Sequence, residues 1–498
     1  MQKIGHWWFW IIVTVLLVAV LKRSFYLRSI GYDQIPETFV ILDERTNVWY
    51  GLSIRNTGVP AAWSNLGMYK LGTGGDVKDL NLIANEYDSP SLLHFIDYPK
   101  PIYVLYPIDL GEKKGLKHLG FVQPYLDHPP FGALVLSIFV SSDVKTFSDL
   151  TAFQFRKGSL WLGVTTGALI FFLGWQVFKN PFIGLLAAAI YGTVPTFVLL
   201  SRYALLENVL NPLILLSLNL LLFSQKINPS YLRVILILAG VASGLAAFTK
   251  IIGWFVLVIG FILLRYWKIK FKDMLFFIIP STVIGLLYFA WGLYLAPTLF
   301  IDIFRYQGLE RGFIGSINFI VSATRVGILN FPLDGWWIGG FLAFLLIPFK
   351  KEYIPVFLGA IMVLFSALFL GGANFPWYFI PMIPFMCLAV AQFFWQVAIN
   401  PKFISILIFF LVFVSSTFYW GYGVYRAALE STNYQQPYGF YRMLLAFFIL
   451  TGLAKFKRLW FIFMIILIVF LIRLNERSIY FILSNWGKLP SLYTPGTF

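Results

Sequence analysis

The sequence predicts an all-α polytopic membrane protein, and three observations support this fold class. The 498 residues are 59% hydrophobic and only 12% charged, with a mean hydropathy of +0.78. Apolar runs long enough to cross a bilayer, about 15–22 residues each, recur along the whole chain. Lysine and arginine residues lie in short clusters between these runs, which is the pattern that orients membrane helices. A water-soluble globule could not bury this much apolar surface.

The net charge of +16 does not indicate a nucleic-acid partner, because the basic residues are distributed among the short loops between apolar runs. The single cysteine, Cys387, lies inside an apolar run, so no intrachain disulfide is expected. The first apolar run, residues 6–27, is longer than the core of a signal peptide and lacks a small-residue cleavage site. We therefore expect it to be a retained membrane helix.

Thirteen membrane spans are predicted, within a range of 11–13. If the N-terminus is cytoplasmic, each predicted cytoplasmic loop carries lysine or arginine, as the positive-inside rule requires. The C-terminal tail is then expected outside, together with the loops 28–157, 297–335 and 421–440. The predicted spans are residues 6–27, 158–178, 181–199, 205–224, 231–248, 250–267, 274–296, 336–349, 353–371, 375–397, 402–420, 441–455 and 458–473.

The first outer loop is large enough to be a small domain, and a loop of this size predicts chemistry or recognition outside the membrane. Residues 99–111 alternate as a strand does, and the apolar residues after Gly132 fit an interfacial helix. The predicted division of the chain is a first helix, this outer loop, a central membrane module and a C-terminal set of helices with an outer tail: residues 1–27, 28–157, 158–399 and 400–498.

Two polar motifs lie in the first outer loop. Asp43 and Glu44 are adjacent acids about 15 residues beyond the first span, and a solvated pair of loop acids is the plain alternative. His128 is followed by Pro129 and Pro130, which restrict the backbone and can hold the imidazole in one direction at the membrane surface. An ordinary loop ending before an interfacial helix would show the same residues.

Other polar residues fall at the outer ends of predicted spans. Arg202 and Glu207 lie in SRYALLEN, where a local ion pair between them is the alternative to a functional role. Lys250 has almost no polar residue near it in sequence, so it either reaches water or meets an anion. Tyr378 lies in PWYFIPMIP, where an aromatic belt at the membrane surface is the simpler explanation.

These motifs resemble the GT-C superfamily of integral-membrane glycosyltransferases, and are most similar to family 39, the protein O-mannosyltransferases and lipid A aminoarabinose transferases. The similarity covers the first half of the chain best, and beyond Ile399 it is general hydrophobicity. Glu207 departs from the family, which usually has aspartate there. The matching elements are Asp43-Glu44, His128-Pro129-Pro130, Arg156, Ser201-Arg202 with Leu205 and Glu207, the GLAAFTK string ending at Lys250, and the PWY-x-x-P-x-x-P stretch at Pro376–Pro384.

The resemblance implies transfer of a sugar from polyprenyl phosphate to an acceptor nucleophile, with inversion, on the extracytoplasmic face, most simply of a plasma membrane. It implies Asp43 as the general base, with Glu44 in a supporting role. Residues expected to bind the donor phosphate are His128, Arg202, Lys250 and Tyr378, with Arg156 a weaker candidate.

The cofactor requirement stays open, with a divalent cation bridged by Glu207 and either Asp43 or Glu44 as a second way to stabilise the leaving phosphate. The acceptor is a protein, a glycan or a lipid, and the sequence does not determine the sugar. Two other functions compete. A transporter or flippase of lipid-linked sugars predicts charges at span midpoints and inverted repeats, and neither is visible. A non-catalytic assembly subunit would keep the fold without turnover.

Overall fold

The structure is a computed structural model that describes residues 2–33, 40–64, 66–69, 104–106, 119–147, 149–307, 335–370, 376–418, 449 and 451–484. In this part of the chain, seven helical stretches are long and apolar enough to cross a membrane, and four shorter apolar helices accompany them. The protein is thus an integral, multi-pass membrane protein, while the count of thirteen spans stays a prediction. The span predicted at 441–455 lies largely outside the described residues.

The membrane helices follow the predicted spans closely, because hydropathy over a window of membrane thickness depends on local composition alone. Numbered in chain order with the helices of the outer loops, they are α1 (Gln2–Ser29), α4 (Ala152–Phe178), α5 (Pro181–Thr193), α6 (Pro195–Leu200), α7 (Leu206–Ser224), α8 (Pro229–Ala247), α9 (Trp254–Tyr266), α10 (Phe271–Leu295), α12 (Trp336–Leu346), α13 (Ile354–Leu370), α14 (Ile383–Ile399), α15 (Phe403–Phe418) and α16 (Lys457–Ser484).

Four spans differ in detail from their prediction, among them the span at 375–397, which is a 3₁₀ helix over Pro376–Met382 before α14 begins. The span at 181–199 is divided into α5 and α6, because Pro195 lacks the N–H that would continue the helix. The span at 402–420 has a π-helical middle, Phe409–Val414. The last span continues to Ser484 rather than ending at residue 473, since polar residues on α16 are accommodated by contacts with α1.

The described part of the first outer loop contains two helices, α2 (Val40–Thr57) and α3 (Pro130–Ser137), and a small antiparallel sheet. Its strands are β1 (Ala62–Ser64), β2 (Val104–Tyr106) and β3 (Leu119–Val122), in the order β1-β3-β2. The strand expected within 99–111 is therefore confirmed as β2, and a helix is confirmed after the two prolines. The acids at 43 and 44 lie on a helix, not on an irregular loop.

The first outer loop packs against the ends of membrane helices through one apolar cluster. Trp49 and Trp63 belong to it, together with Tyr288 of α10 and Phe300 of α11 (Pro297–Arg305). Helix α2 approaches α3 closely at Gly51, where an added Cβ would lie 2.0 Å from a backbone oxygen of α3. Close packing of the two helices holds the helix carrying the acids beside the helix that begins at Pro130.

Helices α1 and α16 run parallel to each other. Arg23 Nε donates to Glu476 Oε1 at 3.0 Å, and one turn further along both helices the rings of Tyr26 and Tyr480 lie 6.4 Å apart. Two membrane-spanning helices that run in the same direction end on the same side of the membrane. The geometry therefore agrees with an odd number of spans and with a C-terminal tail on the same side as the first outer loop.

This arrangement predicts which introduced cysteines react with a membrane-impermeant maleimide in intact cells. In a Cys387→Ser background, we expect labelling of Asp143→Cys, in the first outer loop, and of Ser491→Cys, in the tail. We expect no labelling of Lys270→Cys, in a basic loop assigned to the cytoplasm, until the cells are opened. If Lys270→Cys were labelled in intact cells and Asp143→Cys were not, the predicted topology would be inverted.

Candidate functional site

Residues 201–208, which comprise the link between α6 and α7 and the first turn of α7, form the centre of the candidate site. The Nδ2 of Asn208 donates to the carbonyl oxygens of Leu200 at 3.1 Å and Tyr203 at 2.7 Å. Ser159 Oγ of α4 donates to the same Tyr203 oxygen at 2.8 Å. These bonds satisfy backbone groups that the break between two helices leaves unpaired, so the segment holds one conformation.

Glu44 is fully buried and joins the first outer loop to this segment. Its carboxylate accepts from Arg156 Nη2 at 2.7 Å and Nε at 2.9 Å, and from the backbone N–H of Ala204 at 2.8 Å. Arg156 also donates to the carbonyl oxygen of Tyr32 at 3.0 Å. Such a buried, fully bonded ion pair holds three segments in place. Arg156, a weaker phosphate candidate from sequence, is thus occupied by Glu44.

Asp43 is exposed, although it is adjacent to Glu44 on the first turn of α2. Successive helical side chains point about 100° apart, so the buried Glu44 turns Asp43 toward the surface. Its negative charge reaches the buried phenol of Tyr125. Burial raises the pKa of Tyr125 well above its ordinary value, and the charges of Asp127 and Asp43 raise it further. The exposed acid therefore lies near the chain that leads to His128.

His128 is half-buried at a corner of the chain between β3 and α3. Its ring is 6.4 Å from the Tyr125 ring, and its carbonyl oxygen accepts from the Tyr50 hydroxyl at 3.3 Å. Beyond the two prolines, the Phe131 N–H donates to the carbonyl oxygen of Phe248 at 3.3 Å. Because Phe248 follows α8 and is two residues before Lys250, this bond places the corner next to the lysine.

Lys250, Glu207 and Tyr378 form one cluster. The Lys250 Nζ donates to Glu207 Oε1 and lies 4.4 Å from the centroid of the Tyr378 ring. Of the two alternatives for this lysine, reaching water or meeting an anion, the structure shows the second, because helix packing brings the Glu207 carboxylate against it. The proposed local pair between Arg202 and Glu207 is not formed. Tyr378 is half-buried and remains accessible beside the ammonium group.

Arg202 faces the end of α1 in the structure. Its Nη2 donates to the carbonyl oxygens of Leu27 at 3.0 Å and of Ile30, and the side chain is fully buried. A cation at a helix C-terminus is stabilised by the helix dipole. Its Nε and Nη1 have no hydrogen-bond partner within the described residues. A contact between Arg202 and the donor phosphate, which the sequence suggested, stays a prediction.

An apolar cavity lies next to the Lys250 cluster. It lies between helices α7, α9, α13 and α14 and has a volume of about 10 Å³. Ile252 and Pro381 line it, and these residues are close in sequence to Lys250 and Tyr378 respectively. A cationic group and a phenol therefore lie beside a small apolar cavity. The other lining residues are Ile214, Phe255, Val256, Ile259, Gly359, Met362, Val363 and Phe385.

The donor set around Glu207 does not fit a divalent cation. The Glu207 carboxylate already forms an ion pair with the ammonium group of Lys250. Glu44, one of the two acids expected to share the metal, forms an ion pair with Arg156. Across the described ranges, no group of three or more His, Cys, Asp or Glu side chains could hold a metal ion.

Sequence reasoning missed three residues that support the site. Asp127 directly precedes His128 and is buried, a position that could have been read from the LDHPP motif. Arg28 of α1 donates to Ser201 Oγ at 2.7 Å, and no local pattern predicts this contact. Asn211 Nδ2 on α7 donates to the carbonyl oxygen of Ile380 at 3.2 Å, which joins α7 to the segment carrying Tyr378.

Residues 126–304 match the model of the dolichyl-phosphate-mannose-protein mannosyltransferase family. The match covers less than half of the chain and includes His128, Arg202, Glu207 and Lys250, but not Asp43, Glu44 or Tyr378. The resemblance to the GT-C superfamily that the motifs predicted is confirmed over these residues. No curated protein matches the sequence.

Solved structures of two membrane proteins are similar to this chain. One is ArnT from Cupriavidus metallidurans bound to undecaprenyl phosphate, with 16% identity, a TM-score of 0.45, and coverage of 74% of this chain and 67% of ArnT. The other is the archaeal oligosaccharyltransferase AglB from Archaeoglobus fulgidus with an inhibitory peptide and a dolichol-phosphate, with 14% identity, a TM-score of 0.38, and coverage of 94% and 56%. These TM-scores are too low to establish activity.

Proposed function

We propose that this chain, whose residues 126–304 match the mannosyltransferase family, is a GT-C glycosyltransferase that uses a polyprenyl-phosphate sugar as donor. It transfers the sugar, with inversion, to a nucleophile of a protein, glycan or lipid on the extracytoplasmic side. The observation that carries the proposal is the family match, because it contains four of the residues that the motifs singled out. The arrangement of these residues around one end of the helices supports it.

The acceptor proton is transferred to Asp43 in this mechanism. The acceptor oxygen forms a bond to the anomeric carbon while the bond from that carbon to the phosphate oxygen breaks, and the carboxylate takes the proton. Asp43 suits this role because it is exposed, whereas Glu44 is bonded to Arg156 and Ala204 and holds α2 in position. Inversion follows because the base and the leaving phosphate lie on opposite sides of the sugar.

The leaving phosphate gains negative charge as its bond to the sugar breaks, and a cation held nearby stabilises that charge. Lys250 is our candidate, with the Tyr378 hydroxyl as a further donor and His128 beside them across the Phe131–Phe248 contact. The apolar side chains that line the small cavity next to Lys250 suit contact with the first isoprene units of the lipid. The phosphate would then lie where the polar cluster meets the apolar cavity.

The direct test supplies purified protein in lipid vesicles with polyprenyl-phosphate-mannose and with polyprenyl-phosphate-aminoarabinose, and identifies the products by mass spectrometry. Membrane proteins, glycans and lipids from the same cells serve as acceptors. Release of polyprenyl phosphate together with a glycosylated acceptor supports the proposal. Transbilayer movement of the donor without any glycosylated product would support a flippase instead, and donor binding without movement or turnover would support a non-catalytic subunit.

The role of Lys250 is tested by removing both charges of its ion pair. Replacing lysine alone would leave the Glu207 carboxylate buried and unpaired, which destabilises the fold. In the double variant Glu207→Gln/Lys250→Met, we expect transfer to fall by about 10²–10³-fold, as for other charge-stabilising donors. Glu207→Gln alone keeps the Lys250 cation and should lose less transfer activity than the double variant. Lys145→Met removes an exposed loop lysine and serves as the control. Near wild-type turnover of the double variant would refute the role.

A further inference from the structure

Asp127 lies directly before His128 and is 93% buried, since only 7% of its surface is exposed. Each carboxylate oxygen accepts a short hydrogen bond. Ser64 Oγ of β1 donates to Oδ2 at 2.5 Å, and the Tyr69 hydroxyl donates to Oδ1 at 2.6 Å. Bonds from hydroxyl groups to an ionised carboxylate are stronger than those between neutral groups. The side chain is therefore anchored in the folded part of the first outer loop and faces away from solvent.

The backbone on both sides of this carboxylate is held as well. The Tyr69 hydroxyl accepts from the Leu126 N–H at 2.8 Å, and the Tyr288 hydroxyl donates to the Leu126 carbonyl oxygen at 2.7 Å. Gln307 Nε2 donates to the Asp127 carbonyl oxygen at 3.0 Å. Together with the Tyr50 bond to the next residue, these contacts come from α2, from α10, from the 3₁₀ turn Gly67–Tyr69 and from Gln307, which follows α11. The chain enters the His128 corner in a fixed direction.

From this geometry we infer that Asp127 is a positioning residue, which fixes the imidazole of His128 toward the lipid phosphate. The inference rests on the proposed function. Asp127 itself cannot touch a substrate, because both of its oxygens are bonded to buried hydroxyl groups. The prolines restrict the backbone after His128, and Asp127 restricts it before His128. The backbone that carries the imidazole is thereby held between two anchors, one in the outer loop and one at the end of α8.

Asparagine would change the hydrogen bonds at this position, and the reason is the pattern of donors. Tyr69 accepts from the Leu126 N–H and donates to the carboxylate, and Ser64 donates to the other oxygen. An amide offers one acceptor oxygen, so its NH₂ group would face one of the two donating hydroxyls. Burial and the charge of Asp127 raise the pKa of Tyr69 well above its ordinary value, which keeps the phenol protonated as a donor.

A double-mutant cycle tests whether Asp127 acts through His128. Transfer from polyprenyl-phosphate-mannose is measured for Asp127→Asn, His128→Ala and the double variant. We expect Asp127→Asn to lower kcat by about 10–100-fold in the wild-type background, because small misplacements of a catalytic group cost this much. In the His128→Ala background it should lower kcat less than 3-fold. Equal losses in both backgrounds would overturn the inference.

A second readout does not depend on activity. The chain has four histidines, so a ¹⁵N-histidine-labelled sample gives few imidazole signals, and His128→Ala identifies the relevant one. We expect Asp127→Asn to shift the His128 signal and to leave the other three unchanged. Asp143→Asn, an exposed acid of the same loop, is the matched control. An unchanged His128 signal would refute the inference, whereas a shifted signal without sugar transfer would refute the proposed function alone.

Two milder variants cover the case in which Asp127→Asn fails to fold. Tyr69→Phe and Ser64→Ala each remove one donor to the carboxylate and leave its charge. Each should shift the His128 signal in the same direction as Asp127→Asn does, but by a smaller amount. Each should also lower kcat, and this loss should disappear in the His128→Ala background. If both variants fold and leave His128 unaffected, Asp127 has no positioning role.

Discussion

Replacing Asp43 with asparagine is expected to lower sugar transfer by about 10²–10⁴-fold, the contribution of a general base. The variant keeps the size of the side chain and loses the proton acceptor. Because Asp43 is exposed and the adjacent Glu44 carries the structural bonds, we expect folding and membrane insertion to be unaffected. The measurement is the rate of transfer from the polyprenyl-phosphate sugar by purified protein, with donor binding measured in parallel.

The matched control for this variant is Asp143→Asn, which removes an exposed carboxylate from the same loop. It should retain wild-type turnover. Donor binding should be close to wild type for both variants, since the base acts on the acceptor and not on the lipid phosphate. Wild-type turnover of Asp43→Asn would show that the base is another group.

Arg156→Met is expected to have the largest effect on stability, with a loss of about 3–5 kcal/mol in the free energy of unfolding. The substitution leaves the Glu44 carboxylate buried without its cation, at a site that joins α2, α4 and the segment before α7. A charge without a partner in such surroundings is costly. The measurement is the unfolding of purified protein in detergent, followed as the loss of the monodisperse folded species with temperature or denaturant.

Two further variants distinguish the effect of burying an unpaired charge from the effect of removing an arginine. Arg233→Met breaks the ion pair with Asp273, in which the arginine side chain is 65% exposed, and should cost at most about 1 kcal/mol. The double variant Glu44→Met/Arg156→Met removes both buried charges and should recover much of the lost stability. If Arg156→Met is as stable as Arg233→Met, the pair does not join these segments in the way described.

The sequence alone located most of the residues that gather at the site, but not their partners. Glu44 pairs with Arg156, 112 residues away, and Lys250 pairs with Glu207, 43 residues away. The local alternative, a pair between Arg202 and Glu207, was wrong. Neighbours in sequence are not neighbours in space when a helix begins between them, as α7 does at Leu206.

Adjacent residues also have different roles that only the folded structure distinguishes. Asp43 and Glu44 are equivalent in sequence, yet one is exposed and the other is fully buried, because they occupy different faces of α2. Likewise, the LDHPP motif contains His128, which the sequence analysis selected as a candidate site residue, and Asp127, which it did not select. Whether an acid is available for chemistry or is used to hold the backbone depends on the donors that packing brings to it.

The sequence by itself determined the membrane class, the position of most spans and the identity of the polar motifs, because hydropathy and motif spacing are properties of consecutive residues. Only the tertiary structure decided that α1 and α16 run parallel, that residues 201–208 join the outer loop to the membrane helices, and that an apolar cavity lies beside Lys250. The physical reason is that ion pairs and cavities depend on distances between helices, and many separate contacts together decide how the helices pack.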